Sequence, residues 1–480
     1  MSQPIQRRRA RHHLPRGAGR ALRALVAAAL AFVSIAGVST ILAPAATAAP
    51  NHQIAAKPYM GWSSWSLQST SYPGVNSQGN YSYLTESAVL TQTDAMASKL
   101  ASHGYDYVNI DAGWWMDWNW TPGYDTYARQ TPNSARFPDG IAYVANYVHK
   151  KGLKLGIYLP AGLEKGAYDN GNSPIWNAPG CTTKDIVYSD LRTTNGWDSA
   201  YKLNFDNPCA QKFVDSMADE LASWGVDFLK FDGVGPGSNK SGPNYNNVPD
   251  VAAWHTALQR THRPIQFLLS WSLNHDYVAD WQQYSNGARI DTDVECYCST
   301  LVTWDNSVKV RWDDVVPWIA DARPGYWNNL DSLDVGAGAM DGITNDERQS
   351  YMTLWAIESA PLYTGDDLTT LDSYGLSLLT NDEVIAIDQQ GKPARPVLAH
   401  APTQVWYTQN NDGSYTVALF NMTDSPATVT ADFSDIGLSG TAAIRNVWSH
   451  QNIGSHTGSY SAQLPAHGSQ LLHVNKLWWS

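Results

Sequence analysis

Cysteine and charge are both scarce in this chain of 480 residues. Its 4 cysteines are too few for a disulfide-built scaffold, and their spacing matches no zinc site. Charged residues make up only 16%, which disfavours partners read through dense charge. No His-Glu-x-x-His run occurs, and no Gly-rich phosphate turn follows the first candidate strand, so zincin and dinucleotide-binding readings fall away. Asp331, Asp334 and Asp341 lack the spacing of a calcium loop. Beyond residue 49 there is no internal repeat, no low-complexity tract and no apolar run long enough to cross a bilayer, which argues against a solenoid, a stalk or an anchored protein.

Residues 1–49 read as a secretory signal peptide. Seven arginines precede an apolar stretch, and Ala46-Thr47-Ala48 offers small residues for cleavage. Those seven leave 25 of the 32 basic residues against 44 acids, so the net charge moves from −12 to −19 on processing. An acidic secreted chain is a poor partner for nucleic acid or for an anionic membrane. It suits a neutral, polar ligand. Cys181 and Cys209 flank an Asn/Asp/Thr-rich insertion and are expected to bridge, which export permits. Cys296 and Cys298, one residue apart, stand open between a bridge and two thiols.

From residue 59 to about 390, short apolar runs alternate with amphipathic stretches. Candidate strands fall at 60–65, 107–111, 153–159, 228–232, 267–270, 288–293, 323–327 and 360–363, with helical patterns between most of them. Eight strand–helix units predict a (β/α)8 TIM barrel over residues 50–390. Gly391-Lys392-Pro393 then reads as a linker, and residues 391–480 alternate apolar and polar positions as an antiparallel β-sandwich domain would. Several candidate strands end on polar or aromatic residues, among them Trp65, Asp111, Tyr158, Asp232, Ser270 and Asp293. In a barrel those ends meet at one mouth, where active sites are built.

The segment Leu229-Lys230-Phe231-Asp232-Gly233 concentrates the chemistry. Residues two apart on a strand point the same way, so Lys230 should lie beside Asp232 and keep it ionised, as a carboxylate nucleophile requires. A second carboxylate is offered by Arg289-Ile290-Asp291-Thr292-Asp293. There Asp291 is expected to share a face with Asp293 and raise its proton affinity, suiting a general acid. Two carboxyl groups are what glycoside hydrolysis needs, about 5–5.5 Å apart when configuration is retained. The chain also holds 21 tryptophans, several clustered after the first two strands, and aromatic faces suit sugar rings.

Met60-Gly61-Trp62-Ser63-Ser64-Trp65, Ile110-Asp111-Ala112-Gly113-Trp114, Leu155-Gly156-Ile157-Tyr158, Leu229 to Gly233 and Pro324 to Asp331 occur in an order that resembles the melibiase-type α-galactosidases of glycoside hydrolase clan D. The resemblance implies a retaining double displacement without a cofactor or metal. Asp232 would be the nucleophile and Asp293 the acid/base. Trp65, Asp111, Tyr158, Lys230, Ser270, Leu273, Arg289 and Asp331 would contact the terminal sugar of an oligosaccharide or polysaccharide, most simply an α-linked galactose. Two places depart from the family pattern. Ala112 stands where a second acid usually grips the galactose hydroxyls, and Ser270 lies in a changed 2-hydroxyl segment. A β-L-arabinopyranosyl or α-1,6-glucan substrate is the alternative.

Overall fold

The computed structural model describes residues 54–477; the expected signal peptide lies outside the described residues. Eight parallel strands form one sheet: β1 (Met60–Ser63), β2 (Tyr107–Ile110), β3 (Lys154–Pro160), β4 (Phe228–Asp232), β5 (Gln266–Leu269), β6 (Gly287–Arg289), β7 (Trp327–Asn329) and β8 (Leu362–Thr364). Their spatial order follows the chain from β7 down to β1, with β8 beside β1. Just past β7, the Leu333 N–H donates to the Tyr363 carbonyl of β8 at 2.8 Å, which ties the two edge strands together. This is the expected barrel. Its strands are buried nearly throughout, as a parallel sheet covered by helices must be.

The covering helices carry their own stop and start signals. Pro208–Trp224 begins behind Asn207, whose side chain accepts from the Cys209 N–H, and ends at Gly225 with φ +87°. Asn345–Ile357 opens with a capping box between Thr344 and Glu347. Cys181 and Cys209 are bridged, and so are Cys296 and Cys298.

Some strand limits differ from the sequence expectation. The first strand stops at Ser63, and Trp65 opens a short helix, Trp65–Ser69. The sixth ends at Arg289, so Asp291 and Asp293 stand on an irregular loop rather than on one strand face. The strand expected at 323–327 is Trp327–Asn329, because Arg323 to Tyr326 fold as a tight turn.

After the barrel come antiparallel sheets. One contains Thr403–Gln409, Tyr415–Asn421, Ser469–Lys476, Thr441–Asn446 and Gln451–Thr457; Ala427–Asp432 pairs with Ser459–Leu464 in a second. Val417, Leu419, Val429, Phe433, Ile444 and Leu472 are among the residues that form their shared core.

Inside the barrel the two-residue strand period sorts side chains by height. Tyr107 and Phe228, at the strand starts, join Tyr59, Leu268 and Tyr363 in an apolar floor. Tyr59 meets the rings of Phe228 at 5.1 Å and Tyr363 at 5.3 Å. Two residues on from Phe228 is Lys230, and two further is Asp232. Tyr107, Asn109 and Asp111 climb β2 in the same way, although Asp111 lies one residue past the strand.

Candidate active site

A cavity of about 420 Å³ opens over these strand ends. Trp65, Asp111, Tyr158, Lys230, Asp232 and Asp293 line it, together with Ala112 and the rings of Trp115, Trp120, Trp197 and Trp271. Four other residues expected at the sugar are placed differently. Arg289 and Asp331 stand behind Asp293. Ser270 is fully buried, and Leu273 is buried with its N–H donating to the Arg289 carbonyl at 3.1 Å. The wall they flank is formed by Trp271, which takes φ +76°.

Lys230 does not bond Asp232. Its Nζ lies 2.8 Å from Asp111 Oδ2, while Asp111 Oδ1 accepts from the Ala112 N–H at 2.8 Å. Burial works against the charge of Lys230, but Asp111 and then Asp232 hold its proton affinity above the ordinary lysine value. Asp232 is buried with Oδ1 unpartnered. Its burial raises its proton affinity despite Lys230 and Arg289. Lys230 still favours ionised Asp232, but it does so as the bonded partner of Asp111 and against the larger effect of burial.

Asp293 shows the opposite balance. Burial pushes it up, but Arg289, Lys230 and the Tyr297 hydroxyl outweigh that and hold it below the usual carboxylate range. Arg289 Nη2 donates to Asp293 Oδ1, and its Nη1 lies 3.2 Å from Asp331 Oδ2. Asp291 is turned away and pairs with Arg311, so it does not raise Asp293 as the sequence suggested. Its loop leaves the strand before the two-residue period can align the two acids.

Two further acids carry no sequence motif. Glu295 is pushed up to about 8 by burial and by Asp331 and Asp293. Its Oε1 accepts from Ser66 at 2.7 Å and Ser332 at 2.8 Å. Glu164 lies on the cavity wall after β3, and burial pushes it up to about 7 against hydrogen bonds from Gln130 at 2.9 Å and Tyr124 at 3.1 Å. Both follow irregular segments; the clue in each case is an acid a few residues past a strand end. Asp293, Glu295 and Asp331 bring oxygens within 4.8 Å of one another, and the Arg289 guanidinium supplies the positive charge between them.

The whole barrel matches a family model described as Alpha galactosidase A, over residues 57–206 and 196–390. Residues 400–474 match the Alpha galactosidase C-terminal beta sandwich domain. An alpha-galactosidase of Coffea arabica is 32% identical over 424 residues, covering 86% of this chain and 92% of that protein. Among solved structures, a GH27 β-L-arabinopyranosidase of Geobacillus stearothermophilus is 28% identical with a TM-score of 0.78, covering 89% of this chain and 98% of its own. Alpha-galactosidase I of Mortierella vinacea is 26% identical with a TM-score of 0.68, covering 88% and 98%.

Proposed function

The chain belongs to the melibiase family of clan D glycosidases, and from that premise we propose a secreted retaining glycosidase that removes terminal β-L-arabinopyranosyl units. Ala112 carries the choice of sugar. A β-L-arabinopyranose ring has the hydroxyl pattern of α-D-galactose but lacks the hydroxymethyl group. A pocket with a methyl group at Ala112, lined next to it by Trp115 and Trp120, has no carboxylate there to reward that extra hydroxyl. A site without the bonding group discriminates weakly, so α-galactosides are the second reading, supported by relatives that bear that name.

Asp232 attacks the anomeric carbon from the cavity wall while Asp293 protonates the leaving oxygen. Water deprotonated by Asp293 then releases the sugar from Asp232. Lys230 and Asp111 form one buried pair that holds ring hydroxyls. Burial raises the proton affinity of Asp232; at Asp293 burial acts the same way but is outweighed by Arg289, Lys230 and Tyr297. Asp293 must therefore gain proton affinity as the substrate covers it before it can serve as the acid.

Kinetics on aryl β-L-arabinopyranosides and aryl α-D-galactosides test the reading, with the product anomer read by NMR. The arabinopyranoside should give the higher kcat/KM, with retained configuration. Inversion, or inactivity on both sugars, would remove it. Azide rescue tests the roles. Asp232→Ala with azide should yield a glycosyl azide of inverted configuration, and Asp293→Ala one of retained configuration. Swapped products would exchange the assignments.

A further inference from the structure

Both oxygens of Asp293 are engaged by neighbouring side chains. Oδ1 takes the Arg289 guanidinium, and Oδ2 takes the hydroxyl of Tyr297. The two partners differ in freedom. Arg289 is 2% exposed and is held further by Asp331 and the Asp291 carbonyl at 3.0 Å. Tyr297 is 47% exposed.

Tyr297 is also aimed. It sits between the bridged Cys296 and Cys298 with φ +53°, a conformation that a bulky residue adopts only where its surroundings fix it. The small loop is tied at both ends. The Cys296 N–H donates to the Leu301 carbonyl at 2.9 Å, and the Cys298 carbonyl accepts from the Ser71 N–H at 2.7 Å and the Thr70 hydroxyl at 3.2 Å. The hydroxyl itself accepts from Trp65 Nε1 at 3.2 Å. A phenol has one proton to give. With Trp65 on its acceptor side, Tyr297 directs that proton to Asp293.

We propose that Tyr297 is a positioning residue that caps Asp293 Oδ2 and yields that oxygen to the glycosidic oxygen when the leaving group enters. The proposal rests on the acid/base reading of Asp293. Capping holds the acid ionised and oriented, and displacement of the exposed ring restores its proton affinity when a proton donor is needed. Lys230 and Arg289 also favour the ionised form from β4 and β6, while Asp232, Glu295 and Asp331 oppose it. Loss of the phenol alone therefore moves the balance towards the protonated acid. The Cys296–Cys298 bridge limits how far the ring can travel, so it returns to the same oxygen after each turnover.

The test compares Tyr297→Phe with the parent on two substrates: a disaccharide that needs acid assistance, and a dinitrophenyl glycoside that does not. The basic limb of kcat/KM for the disaccharide, where the protonated acid is lost, should move to higher pH by roughly one to two units, the worth of a hydrogen bond to a charged group. The dinitrophenyl profile should stay in place. The double variant Cys296→Ser with Cys298→Ser should move the disaccharide limb in the same direction. A superimposable Tyr297→Phe profile, with Asp293→Asn still crippled on the disaccharide, overturns the capping role. Near-normal disaccharide turnover by Asp293→Asn overturns the acid/base reading instead. Tyr297→Phe is a half-exposed, isosteric change whose folding a thermal melt verifies, so the result does not depend on the cysteine variant.

Discussion

The floor and the mouth of the barrel are built by the same strands and do opposite work. Phe228, Lys230 and Asp232 follow one another at two-residue steps up β4, and Tyr107, Asn109 and Asp111 do so along β2. At the floor the inward side chains are four rings packed with Leu268, and none is a carboxylate or an ammonium. A few ångströms higher the same period delivers a lysine and two carboxylates, buried as deeply as the rings below. Depth alone thus does not decide what a position contributes. Height along the strand does: the floor supplies cohesion, and the layer above it accepts electrostatic strain for the sake of chemistry.

Substitutions can break or sharpen this contrast. The largest effect is expected at the mouth: Asp232→Ala should lower turnover by on the order of 10⁴-fold or more while leaving the melting temperature near or above that of the parent, as steady-state assays and a thermal melt would show. Phe228→Ala should do the reverse. Emptying the floor should cost about 3–5 kcal/mol of stability in denaturant titration, with kcat per folded molecule within a few-fold of the parent. A smaller effect is expected at Ala112→Asp. Restoring an acid should raise the ratio of α-galactoside to β-L-arabinopyranoside kcat/KM by about tenfold, close to one charged hydrogen bond.

An effect at Glu295 leaves turnover aside and appears only against pH. Its folded proton affinity, about 8, exceeds that of an exposed glutamate. The folded state therefore binds the proton more tightly, and its contribution to stability is complete at acid pH and is lost as pH rises through about 8. Glu295→Gln should flatten the decline of melting temperature between roughly pH 5 and 8, a window set by the free and buried values. An unchanged decline would show that Glu295 is already ionised.

The sequence announced the floor and mouth unequally. Apolar runs ending in Asp111, Tyr158 and Asp232 carry the strand period on their face, and the barrel and the strand-end part of the cavity wall follow from them. What that period could not convey lies on segments without one. Lys230 reaches past β3 to Asp111, 119 residues away in sequence, so a same-strand argument assigned it to Asp232. Asp291 and Asp293 follow the end of β6, where alternation no longer applies. Glu295 and Tyr297 are placed by loops whose paths depend on tertiary hydrogen bonds and, for Tyr297, on a bridge that the spacing of Cys296 and Cys298 left undecided; Glu164 is placed by the two-residue strand Leu163–Glu164, paired with Ala200 and Tyr201.

Covalent trapping tests the central claim most directly. A 2-deoxy-2,2-difluoro arabinopyranosyl or galactosyl donor with an activated leaving group should glycosylate the enzyme once, and peptide mass spectrometry should place the sugar on Asp232. A label on Asp293, or turnover without any trapped species, would contradict the account.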